Sequence, residues 1–182
     1  MQENLYKPKA YRSLCRALCT LTGTTIPAAG TREAELVTHV VRTMAALNKA
    51  PAACLAAGLE ENIIQTLLNI LPQPRKELGK ITMTSVTLMP TTKVNSVLVG
   101  NTARCLMPYA DDATAGASLY QDRSLFGVEK LICSMAACAE MPVRQNLSVL
   151  LAKGCRLEGV REVVTEFRGM QMMQELQSKY KL

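Results

Sequence analysis

The sequence predicts an all-α protein built from repeated short helices, and three observations indicate this class. Apolar residues recur three and four positions apart, the spacing of one buried helix face, as in the segment VREVVTEF that begins at Val160. Prolines and glycines interrupt these stretches at short intervals, which favours many short elements over a few long ones. Segments near the end of the chain return in similar form after 42 to 45 residues. Stacked helical repeats combine these features.

Two helices are predicted in the first quarter of the chain. The first helix runs from Pro8, a residue tolerated in a first helical turn, to Leu21, and Gly23 ends it. Leu14, Leu18 and Leu21 form its apolar stripe. Thr31 is the expected N-cap of the second, because Glu33 and Glu35 follow in the first turn. The positions expected to be buried in the second helix are Leu36, Val40, Val41, Met44 and Leu47.

The next segments give four expectations. An Ala-rich helix ends near Gly58, and a further helix, ended by Pro72 and Pro74, buries Ile63, Ile64, Leu67, Leu68 and Leu71. Residues 75–89 mix helical and alternating spacing and are rich in threonine, and we interpret them as a helix. Another helix is expected after Pro90, closed by Pro108, with the inward positions Val94, Val97, Leu98 and Leu106.

The last seventy residues show the clearest helical spacing. After a helix around residues 115–120, one helix is expected to bury Val128, Leu131, Ile132 and Met135. Pro142 then opens a helix that Gly154 stops, with Val143, Leu147, Leu150 and Leu151 inward. Two helices follow, with the inward positions Val160, Val163, Val164 and Phe167, and Met170, Met173 and Leu176.

Internal similarity supports a repeat architecture. Gly127 and Gly169, 42 positions apart, each separate a shorter helix from an apolar one. Asn101 and Asn146 stand 45 positions apart in two similar helices. Such spacings are typical of helical-repeat solenoids, in which each unit leaves an apolar face that the next unit covers.

The quoted segments resemble armadillo repeats. LAAGLEENIIQTLLNIL, LFGVEKLICSM and FRGMQMMQEL are similar to the glycine-preceded middle helix, and VRQNLSVLLAKGC is similar to the long third helix. The resemblance implies an armadillo/HEAT-like right-handed helical-repeat solenoid of about four partly degenerate repeats over residues 31–182, irregular around 75–110. Residues 1–30 are then an N-terminal helix and loop from a partial repeat, and the incomplete units at both ends imply a segment of a longer protein.

A narrower resemblance rests on VLVGNTARCLMPYADD, VRQNLSVLLAKGC and the terminal EFRGMQMMQEL. This combination is similar to a family that joins tetratricopeptide and armadillo repeats. It implies a cytoplasmic co-chaperone-like factor in the preassembly of axonemal dynein arms, with dynein arm subunits or chaperones as partners. The myosin-chaperone family, which also joins such repeats, is the alternative. Nuclear-import adaptors of this fold bind peptides through a ladder of Trp and Asn. The chain has no Trp, which disfavours a nuclear-import role.

Composition narrows the partner classes. The formal charge of +6 is dispersed, and five tyrosines, two phenylalanines and no tryptophan offer few platforms for stacking bases, which disfavours nucleic acid. An acidic protein partner suits the same charge. The seven cysteines stand mostly among apolar residues, as core thiols of an intracellular protein do. With no secretory signal and no long apolar run, the sequence favours a cytoplasmic protein without a membrane partner.

Motifs for catalysis or for a cofactor are lacking in the sequence. His39 is the single histidine, so any Ser-His-Asp or Cys-His arrangement would depend on it. Cys15 and Cys19, or Cys133 and Cys138, are helical neighbours without a second pair at zinc-ligand spacing. The chain contains neither GxGxxG nor a Walker-type GKS/T loop. We therefore expect a noncatalytic protein with no metal and no cofactor.

Candidate binding residues follow from the armadillo resemblance, because third helices line the concave groove in that family. The polar positions of these helices are Asn101, Arg104, Arg144, Gln145, Asn146 and Lys153. The three cations among them could pair with carboxylates of an extended acidic segment, and the amides with its backbone. The alternative interpretation is an ordinary solvated helix face.

Overall fold

The computed structural model describes residues 3–23, 30–47, 52–73, 75–77, 80–82, 95–122, 124 and 126–180. Within these ranges the chain forms ten helices and one pair of short strands, which confirms the all-α class with one local exception. The elements are α1 (Glu3–Thr22), α2 (Arg32–Leu47), α3 (Ala52–Glu60), α4 (Ile63–Ile70), β1 (Arg75–Glu77), β2 (Lys80–Thr82), α5 (Ser96–Asp111), α6 (Ala113–Gln121), α7 (Gly127–Ala137), α8 (Met141–Gly154), α9 (Val160–Glu166) and α10 (Gly169–Tyr180).

Helix α1 is longer than the spacing predicted. It begins at Glu3 rather than at Pro8, so that Pro8 lies inside the helix, where it removes one backbone donor. Leu18 is fully buried as expected, whereas Leu14 and Leu21 are partly buried. Tyr11 and Cys15 complete the buried side of α1. Gly23 follows the last helical residue, as predicted.

Helix α2 confirms its predicted start and corrects one core position. The hydroxyl of Thr31 accepts a hydrogen bond from the backbone N–H of Ala34 at 3.2 Å, so Thr31 is the N-cap. Leu36 was expected to be buried and is 49% exposed. The buried face instead runs through Ala34, Val37, Val40, Val41, Met44 and Ala45, and Leu36 lies on its far side.

The helix expected over residues 75–89 is wrong where the structure describes that segment. Strands β1 and β2 pair antiparallel, with Arg75 opposite Thr82 and Lys76 opposite Ile81. The alternating component of the pattern and the β-branched residues Ile81 and Thr82 explain this outcome. The remainder of that predicted helix, together with Pro90 and Val94, lies outside the described residues.

Helix α5 continues beyond the proline that was expected to close it. Pro108 lies three residues before the end of α5, and the chain turns at Asp112, whose backbone is extended. The carboxylate of Asp112 accepts a hydrogen bond from the N–H of Ala115 at 2.8 Å and caps α6. Val97, expected inward, is 52% exposed, whereas Leu98 and Leu106 are buried as predicted.

The last four helices largely confirm the predicted apolar faces. All four expected positions in α7 and all four in α8 are buried. In α9 Val160 and Val164 are buried, whereas Val163 and Phe167 are half-buried. Met170 and Met173 of α10 are also half-buried, and the side chain of Leu176 lies outside what the structure describes.

One turn recurs three times in the described chain. In each case a non-glycine residue with positive φ directly precedes a helix. These residues are Asn62 before α4, Phe126 before α7 and Arg168 before α10. In two of the three cases the next residue is a buried glycine, Gly127 or Gly169. The same short-helix, left-handed-turn, helix unit therefore occurs at three places.

Helices α2, α5 and α8 lie side by side, with α5 packed between the other two. The thiol of Cys105 donates to the carbonyl of Val41 at 3.2 Å across the α2–α5 seam. On the other side, a Cβ at Gly100 would lie 3.0 Å from a methyl of Val143, so α5 and α8 approach closely there. One hydrophobic core extends from α1 to α9 behind these three helices.

Candidate protein-binding surface

Helix α5 has one narrow side that no other described helix covers. Val97, Arg104 and Asp111 are exposed at intervals of seven residues, so they form a single stripe. Helices α2 and α8 flank α5, and the other residues of α5 are mostly buried. The stripe therefore lies at the centre of a surface that extends over all three helices. We name this surface, with the adjoining side chains of α2 and α8, the α2–α5–α8 face.

Helix α8 contributes Asn146, Val149 and Lys153 to this face. Lys153 reaches α5, where its amine contacts both carboxylate oxygens of Asp111 at 2.6 Å. Asn146 and Val149 precede Lys153 by seven and four residues and therefore lie on the same stripe. Val149 is 47% exposed although it is apolar.

The other two predicted binding residues of α8 lie on different sides of that helix. Successive helical residues differ in direction by about 100°, so Arg144 points roughly opposite to Asn146. Ser148, one turn after Arg144, donates to the sulfur of Met135 in α7 at 3.3 Å, which identifies this side as the one facing α7. Gln145 lies roughly opposite Val143, the residue that meets α5. The structure thus brings Asn101, Arg104, Asn146 and Lys153 together and separates Arg144 and Gln145 from them.

Arg42 of α2 belongs to the face and was missed by the sequence reasoning. The thiol of Cys105 in α5 donates to the carbonyl of Val41 in α2. Arg42 is the residue after Val41, and Arg104 is the residue before Cys105. Arg42 also lies one turn after Thr38, whose hydroxyl accepts a hydrogen bond from the side chain of Asn95 at the start of α5, so the exposed Arg42 and Arg104 border the same seam between α2 and α5. The order of helix types, a long helix followed by a short one, was the available signal, since α2 precedes α3 as α5 precedes α6.

The cationic side chains of the face differ in whether they form an ion pair with a carboxylate. Within the described residues, Arg42 and Arg104 have no carboxylate within salt-bridge distance, whereas Lys153 is paired with Asp111. Asn101 is only 8% exposed, and its side-chain amide donates to the carbonyl of Val97 in its own helix at 2.8 Å. The face therefore presents two arginines without a carboxylate partner in the described part of the chain, with the amide of Asn146 and the apolar Val97 and Val149 on the same face.

Buried polar groups away from the face join helices. The hydroxyls of Tyr11 and Tyr109 lie 3.0 Å apart and link α1 to α5, and burial raises the pKa of both phenols. Lys130 of α7 is 4% exposed, and its amine donates to the side-chain oxygen of Asn69 in α4 at 3.3 Å. Burial lowers the pKa of Lys130. These contacts fix the positions of α1 against α5 and of α4 against α7.

The cysteines offer no activated nucleophile among the thiols with a shifted pKa. Burial raises the pKa of Cys15 to about 12 and that of Cys133 and Cys138 to about 11. A raised pKa disfavours the reactive thiolate. In the part of the chain that the structure describes, no three His, Cys, Asp or Glu side chains are grouped so as to hold a metal ion.

Alkylation of the native chain is expected to follow burial. Iodoacetamide should modify Cys19 and Cys155, which are half-buried, at least about tenfold faster than Cys15 and Cys105, which are buried. Mass spectrometry of peptides after timed labelling measures this order, and labelling in denaturant provides the control. Equal rates at Cys15 and Cys19 in the native chain would contradict the described packing of α1.

Comparisons of the chain with protein-family models, with curated proteins and with solved structures find no match. None of the described helices combines the length and the apolar character needed to cross a membrane. The fold and the surface together define a helical protein with an uncovered, cation-bearing face. Its function is inferred from that face.

Proposed function

We propose that the chain is a noncatalytic protein-protein interaction scaffold with an armadillo-like solenoid architecture. The support is the repeated order of a long helix, a short helix, a left-handed turn and a further helix in α2–α4, α5–α7 and α8–α10. Helices α5 and α8 start 45 residues apart, and α7 and α10 start 42 apart. Helices α2, α5 and α8 then take the role of third helices, and the hairpin stands in a longer connection between α4 and α5.

The α2–α5–α8 face is the proposed partner site, and its ligand is an extended acidic segment. The observation that carries this proposal is the pair Arg42 and Arg104, exposed on neighbouring helices without carboxylate partners in the described chain. Guanidinium groups bind carboxylates through paired, charge-assisted hydrogen bonds. Asn146 can bond the backbone of such a segment, and Val97 and Val149 can pack against its apolar side chains.

Reversing the charges of Arg42 and Arg104 tests the site. The double variant Arg42→Glu/Arg104→Glu should lose at least about tenfold in affinity for an acidic peptide, because two favourable charge contacts become repulsive. The probe is a fluorescein-labelled peptide in which glutamate alternates with serine, titrated by anisotropy. Arg161→Glu/Arg168→Glu, which reverses two exposed arginines outside the face and so changes the net charge equally, is the matched control.

Two outcomes would contradict this assignment. If Arg161→Glu/Arg168→Glu weakened binding as much as Arg42→Glu/Arg104→Glu, only the net charge would matter. Unchanged affinity in Arg42→Glu/Arg104→Glu, with circular dichroism showing intact helicity, would exclude the face. A nucleic-acid ligand would instead show the steep loss of affinity with salt that phosphate contacts produce.

The cellular role we propose is that of a cytoplasmic co-chaperone-like factor in the preassembly of axonemal dynein arms. It rests on the resemblance of VLVGNTARCLMPYADD and EFRGMQMMQEL to the C-terminal armadillo region of tetratricopeptide repeat protein 12. A myosin-chaperone-like armadillo module is the alternative. Affinity capture from ciliated cells separates the two, since recovery of dynein chains with chaperones supports the first and recovery of myosin supports the second.

A further inference from the structure

Lys153 on the α2–α5–α8 face already holds a carboxylate from its own chain. Its amine lies 2.6 Å from each side-chain oxygen of Asp111. This is the contact that a carboxylate of an acidic partner would make with a lysine. Lys153 is thus paired, whereas Arg42 and Arg104 have no carboxylate partner among the residues that the structure describes.

Asp111 is poorly placed to stabilise the helix that carries it. It is the last residue of α5, where the negative end of the helix dipole disfavours an anion. The cap of α6 is supplied by the next residue, Asp112, and not by Asp111. In the described part of the chain, the hydrogen bonds of the Asp111 carboxylate go to Lys153 alone.

The pair is also weak enough to open. The side chain of Asp111 is 60% exposed, and ion pairs with an exposed member contribute little to stability because water screens them. The side chain of Lys153 is 21% exposed, so most of its methylenes are packed and its amine remains near this position. The carboxylate of Asp111 can therefore leave Lys153 with little loss of folding stability, while the amine of Lys153 stays at the face.

Asp111 also lies on the same stripe as Arg104. Seven helical residues separate the two, which places the carboxylate about 10 Å along α5 from the arginine. At that distance its negative charge opposes any anion approaching Arg104, most strongly at low ionic strength.

We propose that Asp111 is an intramolecular competitor for the acidic partner, which occupies Lys153 and lowers the affinity of the face for carboxylates. The inference rests on the proposed function of the face. It assigns to Asp111 a role in specificity, since a segment must offer enough acidic contacts to displace it. A segment with few acidic residues is rejected.

Asp111→Asn is expected to bind the glutamate–serine peptide about three- to fivefold more tightly than the wild-type chain, a gain equal to that of freeing one surface ion pair. The control Glu162→Gln removes the same charge from α9, outside the face, and should change the affinity little. At physiological salt, where the repulsion across about 10 Å toward Arg104 is mostly screened, the gain from Asp111→Asn in the background Lys153→Met should fall to the level of this control. Thermal unfolding of each variant verifies that the fold is retained.

A gain in Asp111→Asn that disappears with Lys153→Met supports the competitor role. The role is overturned if Asp111→Asn gains no more than Glu162→Gln, or gains equally with and without Lys153. A loss of affinity in Asp111→Asn also overturns it and assigns the pair to fastening α5 against α8. If neither the wild-type chain nor Asp111→Asn prefers the glutamate peptide over one with glutamine in its place, the proposed function falls as well.

Discussion

Replacing Gly127 with alanine is expected to destabilise the protein by about 3 kcal/mol, because the new methyl group has no space. A Cβ at this position would lie 1.9 Å from the backbone carbonyl oxygen of Leu119. Backbone cannot rotate aside as a side chain can, so α6 and α7 would have to separate. Urea unfolding followed by circular dichroism measures the change in the free energy of unfolding.

Gly116→Ala is the matched control for this prediction. Gly116 is buried in α6, and a Cβ there would lie 3.6 Å from the nearest atom, the carbonyl oxygen of Ala110, which is an ordinary contact. Alanine in a helix should then gain about 0.5 kcal/mol over glycine. A similar loss in both variants would contradict the close approach of α6 to Gly127.

The Tyr11–Tyr109 pair gives the second large expected effect. Tyr11→Phe or Tyr109→Phe alone should cost about 1–2 kcal/mol, because each change leaves the other hydroxyl buried without its partner. The double variant should cost no more than the more damaging single one, since neither hydroxyl then remains. The expected non-additivity is a coupling energy of about 1 kcal/mol.

Tyr120→Phe provides the control for this cycle. Its hydroxyl donates to the carbonyl of Leu150 at 2.7 Å, a bond that involves neither Tyr11 nor Tyr109. The cost of Tyr120→Phe should therefore add to that of Tyr11→Phe. Additive costs for the Tyr11 and Tyr109 substitutions would show that the two hydroxyls do not bond each other, and that α1 and α5 are not linked there.

Helix positions and buried faces could be predicted where they depend on residues only a few positions apart in the sequence. The buried positions of α7 and α8 follow from apolar spacing, because a helix that packs against a core must turn one side inward every three or four residues. The cap at Thr31 was equally local, since its hydroxyl serves an N–H three residues away. The same logic misplaced Leu36, because two apolar stripes were compatible with α2 and only packing against α1 and α5 selects one.

The binding face was predictable only in part. Arg104, Asn146 and Lys153 were named from the resemblance, and the structure places them on one side of the molecule. Arg144 was named with them, yet two positions along a helix reverse the direction of a side chain. The long connection between α4 and α5 also breaks the spacing that relates α5 to α8, so the sequence did not show that α2 corresponds to them, and Arg42 was overlooked.

The sequence by itself determined the helical class, most helix boundaries and most inward faces, because these depend on residues within a few positions of one another. The tertiary structure alone decided that Arg42 and Arg104 border one seam, that Asp111 pairs with Lys153 and that Tyr11 bonds Tyr109. Those pairs join residues from 42 to 98 positions apart. Their contacts depend on how α1, α2, α5 and α8 pack side by side, and no local periodicity carries that information.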